Sequence, residues 1–230
     1  MKLFKTVLND PLAESEAAVV IDVCRAFTTA AFAFFAGAEK IFLVRTVQEA
    51  FKLKDEYADA LLMGEENGLP IEGFDLWNSP FEIRSRNLSG KTLIQRTTAG
   101  TQGMVAYRDI PILLAGTFVN AGATIKYLRD NLPESVNFLM TGVRSTTSGL
   151  EDKACADYFI DSLNGKVADS SDYLRHVSCW KPEKISSQSS ILRKLYEDLE
   201  CCSKLDCFDF VMQASKQDQL LILKSVQNRH

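Results

Sequence analysis

Residues 17–44, AAVVIDVCRAFTTAAFAFFAGAEKIFLV, decide the fold. Ala17-Ala18-Val19-Val20-Ile21 is apolar at every position and ends in β-branched residues. That is the pattern of a strand covered on both faces, as in the middle of an α/β sheet. Asp22-Val23-Cys24-Arg25 interrupts the run, and Thr28-Thr29 open an apolar helical stretch through Phe35. Gly37 ends that helix, and Lys40-Ile41-Phe42-Leu43-Val44 is a second strand. A buried strand, an apolar helix and another buried strand predict helices packed on a largely parallel sheet.

The same alternation continues outward. Val47, Ala50, Phe51, Leu53 and Tyr57 share one helical face, and Ala60-Leu61-Leu62-Met63 is a strand. Further strands are predicted at 91–95, 111–115 and 136–141, with helices at 119–128 and 150–163. The last helix carries Glu151-Asp152 in its first turn, where carboxylates suit the helix dipole. Beyond Gly165 the texture changes. Residues 168–190 are polar and Ser-rich, helical periodicity returns at 191–199, 208–214 reads as a further helix, and 220–223 as a last strand at a sheet edge. The expected fold class is a three-layer α/β/α sandwich with a mostly parallel or mixed central sheet. It forms one domain over 1–230, with 166–230 as a candidate C-terminal sub-lobe.

The totals bound the function. With 46% hydrophobic and 24% charged residues, the 230-residue chain has an ordinary globular composition. A net charge of −4 gives nucleic-acid binding no global electrostatic support. The N-terminal residues have no apolar core of secretory length, and no stretch approaches the ~18 apolar residues of a membrane span, so a cytoplasmic location is expected. Six cysteines show no CxxC pair at zinc spacing, and Cys201-Cys202 read as small buried residues of a helix. With two histidines, one of them the last residue, histidine chemistry is not expected.

The stretch from 64 to 80, GEENGLPIEGFDLWNSP, is a long segment between predicted strands with three glycines, two prolines and four carboxylates. A loop of that length in a compact domain is uncommon unless it is functional or disordered. Ile71, Phe74, Leu76 and Trp77 argue that it folds back and is ordered.

Three predicted strands end in an arginine followed by paired threonines: Arg25 with Thr28-Thr29, Arg96 with Thr97-Thr98, and Arg144 with Thr146-Thr147. Ligands of open α/β sheets bind outside the carboxyl ends of strands. If the three strands are parallel neighbours, their guanidinium groups converge on one crevice suited to an anion with several oxygens. Glycines at 100, 142 and 149 would let backbone N–H groups approach it. Asp22, Glu65, Asp75, Glu151 and Asp152 cluster at the same end. Carboxylates beside an anion site imply a hard divalent cation, and Mg2+ is held by one or two carboxylates, waters and phosphate oxygens. Ion pairing of Asp22 and Glu151 with the arginines is the structural alternative.

Four segments carry a resemblance: Asp22-Val23-Cys24-Arg25-Ala26-Phe27-Thr28-Thr29, the loop in the pattern GE-x-x-G-x-x-x-x-G-F-D-x-x-N-S-P over 64–80, Thr97-Thr98-Ala99-Gly100-Thr101, and Gly149-Leu150-Glu151-Asp152. On them the chain resembles the 2-phosphosulfolactate phosphatase family, closely over residues 15–165. The resemblance implies a Mg2+-dependent phosphatase of α/β fold that hydrolyses 2-phosphosulfolactate to sulfolactate and phosphate, a step of coenzyme M biosynthesis. It implies Asp22, Arg25, Glu65 and Glu151 as catalytic residues. Arg96, Thr98, Gly100, Arg144, Asn78 and Ser79 would bind substrate, and Asp22, Glu65 and Asp152 the metal. The implied partner is a small anionic phosphoester, with no nucleic acid or membrane, and the implied assembly a homodimer. The chain departs from the family pattern at Ala99, where Asn is usual before Gly, at Glu66, where a basic residue is common, and at Gly149, where Ser is usual. It also lacks a histidine over 190–209. The alternative reading is a catalytically weak member of the fold that binds a small anion.

Overall fold

The computed structural model describes residues 1–11, 14–143, 148–166, 169–180 and 189–227. Its strands are β1 (Lys2–Val7), β2 (Ala17–Ile21), β3 (Lys40–Val44), β4 (Leu61–Gly64), β5 (Leu76–Trp77), β6 (Thr92–Arg96), β7 (Ile112–Gly116), β8 (Ser135–Met140), β9 (Phe210–Gln217) and β10 (Leu220–Gln227). Its helices are α1 (Ala26–Phe35), α2 (Val47–Glu56), α3 (Pro80–Ile83), α4 (Gly100–Ala106), α5 (Ala121–Asn131), α6 (Leu150–Leu163), α7 (Ser171–Ser178) and α8 (Ser189–Cys202). All ten strands form one mixed sheet in the order β1-β8-β2-β7-β9-β10-β3-β6-β4-β5, with helices packed on both faces, a three-layer α/β/α arrangement.

The 17–21 run takes the central place its composition demands. Val20 pairs with Leu139 of β8 on one side and Ala115 of β7 on the other. Ala18 and Val20 point into one hydrophobic cluster, Ala17, Val19 and Ile21 into another. Burial on both faces is why this strand has no polar alternation.

The sheet is two parallel blocks running in opposite directions. β1, β8, β2 and β7 are mutually parallel, as are β3, β6, β4 and β5. The β9–β10 hairpin is antiparallel to both neighbours and joins the blocks. β2 and β6 are therefore not the parallel neighbours that the repeated Arg-Thr-Thr pattern suggests. In a flat sheet their carboxyl ends would lie at opposite edges. Strand twist of roughly 20–25° per step curls the sheet instead. One cluster on a single face draws in strands of both blocks and all the apolar face of α1, whose residues Ala26 to Phe34 are buried. The Gln95 side-chain amide of β6 reaches the Ala26 carbonyl just beyond β2, at 3.0 Å. The two strand ends thus meet at the foot of α1.

The C-terminal region differs from the sequence expectation in two places. Residues 208–214 are not a helix; most of them enter β9, buried at Phe210, Val211, Met212 and Ala214. A short apolar run has the same periodicity in a buried strand as in a buried helix. The strand at 220 is not at an edge either, since β10 lies between β9 and β3. Residues from the C-terminal third therefore complete the middle of the sheet. β1 escaped the sequence reading because KLFKTV, largely exposed at an edge, has neither an apolar run nor clean alternation. Cys201 and Cys202 are buried in α8, as their neighbours suggested. Among the described residues no helix is long and apolar enough to cross a membrane.

Candidate active site

Asp22 is the hub of the crevice. It follows β2 directly, is 7% exposed, and accepts the Ala26 amide on Oδ1 at 2.9 Å. Its other oxygen lies 3.4 Å from the Thr141 hydroxyl, beyond β8. On the opposite side stands Gly100, the first residue of α4, where a Cβ would fall 2.8 Å from Asp22 Oδ2 and 2.7 Å from Ala26 Cβ. A side chain at 100 would separate α4 from Asp22. Burial pushes the Asp22 carboxyl up to about 6. The Ala26 amide opposes that shift and the Glu65 carboxylate adds to it.

Asp152 faces Asp22 from the first turn of α6. Its oxygens accept the backbone amides of Val23 at 2.8 Å and Gly142 at 2.7 Å, which ties α6 to the ends of β2 and β8. Burial, then the neighbouring Glu151 and Asp22 carboxylates, hold the Asp152 carboxyl well above its ordinary value. Glu151 is 4% exposed in the same turn.

Glu65, immediately after β4, closes the site from the second block. It accepts the Thr98 amide at 2.5 Å, the Thr98 hydroxyl at 2.9 Å and the Gly68 amide at 2.5 Å. Three of its four lone-pair positions are thereby engaged. Thr98 also accepts the Asn67 amide, so it binds the 64–80 loop to the end of β6. Asp75 accepts the Leu62 amide at 2.8 Å and braces the same loop from outside the site.

The arginines are placed differently from one another. Arg25 is 4% exposed. It donates to Asp198 of α8 at 2.7 Å and to the Gly68 carbonyl at 3.2 Å, and lies 4.6 Å over the Trp77 ring. Its charge is already met by a buried carboxylate. Arg96 donates to the Glu65 carbonyl at 2.8 Å and pairs with Glu66 at 2.9 Å, whose side chain is 54% exposed. Such an exposed partner contributes little and is displaceable. Arg144, with its Ser145-Thr146-Thr147, lies outside the described residues. Ser79 caps α3 and donates to Asp198 at 2.5 Å. Asn78 is 3% exposed, and its side-chain oxygen has no partner among the described residues.

The paired threonines do not all face the crevice. Thr28 and Thr29 are fully buried and donate to the carbonyls of Val23 and Arg25, within the first turns of α1. Their recurrence at strand ends reflects local backbone satisfaction more than ligand contact. Asp198 was not singled out in the sequence. Its signal was legible, since it lies on the same helical face as Leu195, Cys201 and Cys202, all buried, and an aspartate in an apolar stripe needs a partner.

Burial and neighbouring carboxylates raise Asp22 and Asp152, and with the buried Glu65 and Glu151 they offer the oxygen ligands that a hard cation takes. Among the described residues no three His, Cys, Asp or Glu side chains stand close enough to cage an ion alone.

Gly149 shows why a residue larger than glycine is not tolerated before α6 in this chain. Its φ is +66°, and a Cβ there would lie 2.4 Å from the Gly142 carbonyl carbon and the Val143 nitrogen. Gly149→Ala is expected to cost about 2 kcal/mol or more in denaturant unfolding. Gly90→Ala, with φ +68° and open space around it, should cost only the backbone share, about 1 kcal/mol. Equal losses would mean that the contact with Gly142 is immaterial.

Comparison with known proteins agrees with this arrangement. The family model described as 2-phosphosulpholactate phosphatase matches residues 5–217. The chain is 40% identical over 224 residues to a probable 2-phosphosulfolactate phosphatase of Carboxydothermus hydrogenoformans, covering 93% of this chain and 92% of that one. It is 34% identical over 225 residues to the protein of that name from Bacillus subtilis, covering 94% of each. A third, from Thermotoga petrophila, is 35% identical over 208 residues, covering 86% of this chain and 88% of its own. With its strand-end carboxylates, its 64–80 loop and a match over nearly its whole length, the chain belongs to the 2-phosphosulfolactate phosphatase family.

Proposed function

We propose that the protein hydrolyses the phosphate monoester of a small polyanionic acid, 2-phosphosulfolactate to sulfolactate and phosphate, with Mg2+ at the carboxylate cluster. The observation that carries this reading is the convergence of Asp22, Glu65, Glu151 and Asp152, all buried, on strand ends brought together by the curled sheet. Like charges at close quarters need a counter-charge, and a family of phosphatases supplies the reason for one.

Asp22 and Asp152 are the better ligands, because each retains lone pairs beyond those taken by backbone amides. Bound Mg2+ would screen the phosphate and stabilise the charge of the departing alkoxide. The chain's own groups do the rest. Asp22, with its carboxyl near 6, can take a proton from an attacking water at neutral pH. The N-terminus of α6 favours the negative phosphoryl oxygens. Arg96, whose carboxylate partner is half-exposed, can exchange Glu66 for a substrate carboxylate or sulfonate. Glu65 ties Gly68 of the 64–80 loop to Thr98 at the end of β6.

The test is phosphate release from 2-phosphosulfolactate and from phospholactate, each with Mg2+ and with EDTA. Release from the sulfonated ester, abolished by EDTA and restored by Mg2+, is the expected result. Equal release from both esters would remove the sulfonate specificity while leaving the chemistry. No release from either by folded protein would overturn hydrolysis and favour an anion-binding member, with Ala99→Asn the first reversion to make.

A further inference from the structure

Beyond the carboxylates, one group is conspicuous. Asp198 is fully buried, 0% exposed, on a helix far in sequence from every motif of the site. It accepts Arg25 Nη1 at 2.7 Å, the Ser79 hydroxyl at 2.5 Å and the Phe81 amide at 3.2 Å. Those three partners come from the end of β2, the end of the 64–80 loop and α3. Arg25 passes the constraint on: its Nη2 holds the Gly68 carbonyl at 3.2 Å, while the Gly68 amide donates to Glu65 at 2.5 Å. Glu65 in turn holds Thr98 and stands against Asp22.

We infer that Asp198 is a positioning residue: through Arg25 and Gly68 it fixes Glu65 and the 64–80 loop against Asp22. Arg25 is then a brace rather than the anion clamp its place at a strand end suggests. The reason is charge balance. A buried guanidinium with a carboxylate on one edge and a carbonyl on another, stacked on Trp77, has its charge and its fork committed before any ligand arrives. Its planar geometry sets the angle between α8 and the loop, which a lysine could not reproduce. The kinetic consequence rests on the phosphatase reading; the positioning itself does not.

Both are tested with Asp198→Asn, Asp198→Glu and the paired Arg25→Met/Asp198→Leu. The paired variant removes both charges together, so no uncompensated buried charge is left, although the Ser79 hydroxyl and the Phe81 amide lose their acceptor. It therefore keeps the test valid if Asp198→Asn fails to fold. The expected result is a kcat about 10²-fold lower in the folded paired variant, since small misplacements of reacting groups cost that much, with a lower melting temperature from the two orphaned donors. KM should move less than kcat, and Asp198→Glu should recover part of the loss. A folded paired variant with wild-type kcat would overturn the inference, whatever its melting temperature, leaving the pair a structural contact only. Amide hydrogen exchange supplies a readout independent of turnover. Exchange at Gly68 and Thr98 is expected to quicken in the paired variant while the β2 and β8 amides keep their protection. Unchanged exchange at Gly68 and Thr98 would overturn the inference even if no ester is hydrolysed. Wild-type protein that releases no phosphate counts against the phosphatase reading alone.

Discussion

Asp22→Asn is expected to lower phosphate release by about 10³-fold and, at the same time, to make the protein more heat-stable above pH 6. The two effects share one cause. In the folded chain Asp22 releases its proton near pH 6, against an ordinary 3.8, because burial penalises the charged form and Glu65 repels it. The folded state therefore binds this proton more tightly than the unfolded chain does. Its contribution to stability is full below about pH 4 and is lost as the pH rises toward 6. Two pK units correspond to ~3 kcal/mol, the upper limit of the penalty borne at neutral pH. Asparagine carries no charge to penalise, but it offers fewer acceptors to the Ala26 and Gly100 amides. A gain of about 2 kcal/mol at pH 8, and none at pH 4, is the expected balance. Calorimetric melting of both proteins in EDTA at the two pH values measures it. Identical melting at pH 8 would refute the stored repulsion. Activity within tenfold of wild type would remove Asp22 from the chemistry. Mg2+ should raise the wild-type melting temperature at pH 8 and leave the variant's nearly unchanged, as expected where a functional site costs stability.

The sequence carried the local pattern further than the arrangement. The strands at 17–21 and 40–44 and the helix at 150–163 could be read residue for residue, because burial on both faces or a marked first turn leaves one interpretation. The 64–80 loop announced itself by length and by apolar anchors, and Trp77 and Leu76 do form a short strand beside β4. The meeting of the two opposed blocks could not be read. It depends on the β9–β10 hairpin, whose strands come from the last fifth of the chain and reverse the sheet's direction midway. Periodicity reports which face of an element is buried and is silent about which neighbour buries it. The same limit applied at the site. Arg25 could be placed at a strand end, but the carboxylate that holds it sits 173 positions away on α8. Asp198 was discoverable only as a charge in an apolar stripe, a sign that a partner exists but not which one.

The curl of the sheet around α1 predicts the largest loss of stability. Phe27 is fully buried at the foot of that helix. Its ring would stand 3.2 Å from a Cβ at Gly100, and its amide donates to the Asp22 carbonyl at 3.1 Å. It fills the place where the ends of the two blocks converge, so nothing nearby can collapse into the space without moving Asp22 or α4. Phe27→Ala should therefore cost about 3–5 kcal/mol, near the upper range for truncating a buried phenylalanine. For a chain of this length that lowers the melting temperature by on the order of 10 °C. Phe35 ends the same helix but is 65% exposed, touching Phe208 with its ring centroid 5.2 Å away. Phe35→Ala should cost less than about 1 kcal/mol, the scale of one exposed aromatic pair. Denaturant titration of the two variants compares positions equal in chemistry and different only in enclosure. If both lost the same amount, α1 would not be held between the two blocks. A large loss at Phe27 alone, with kcat falling in the fraction that stays folded, would tie the core of the fold to the alignment of its carboxylates.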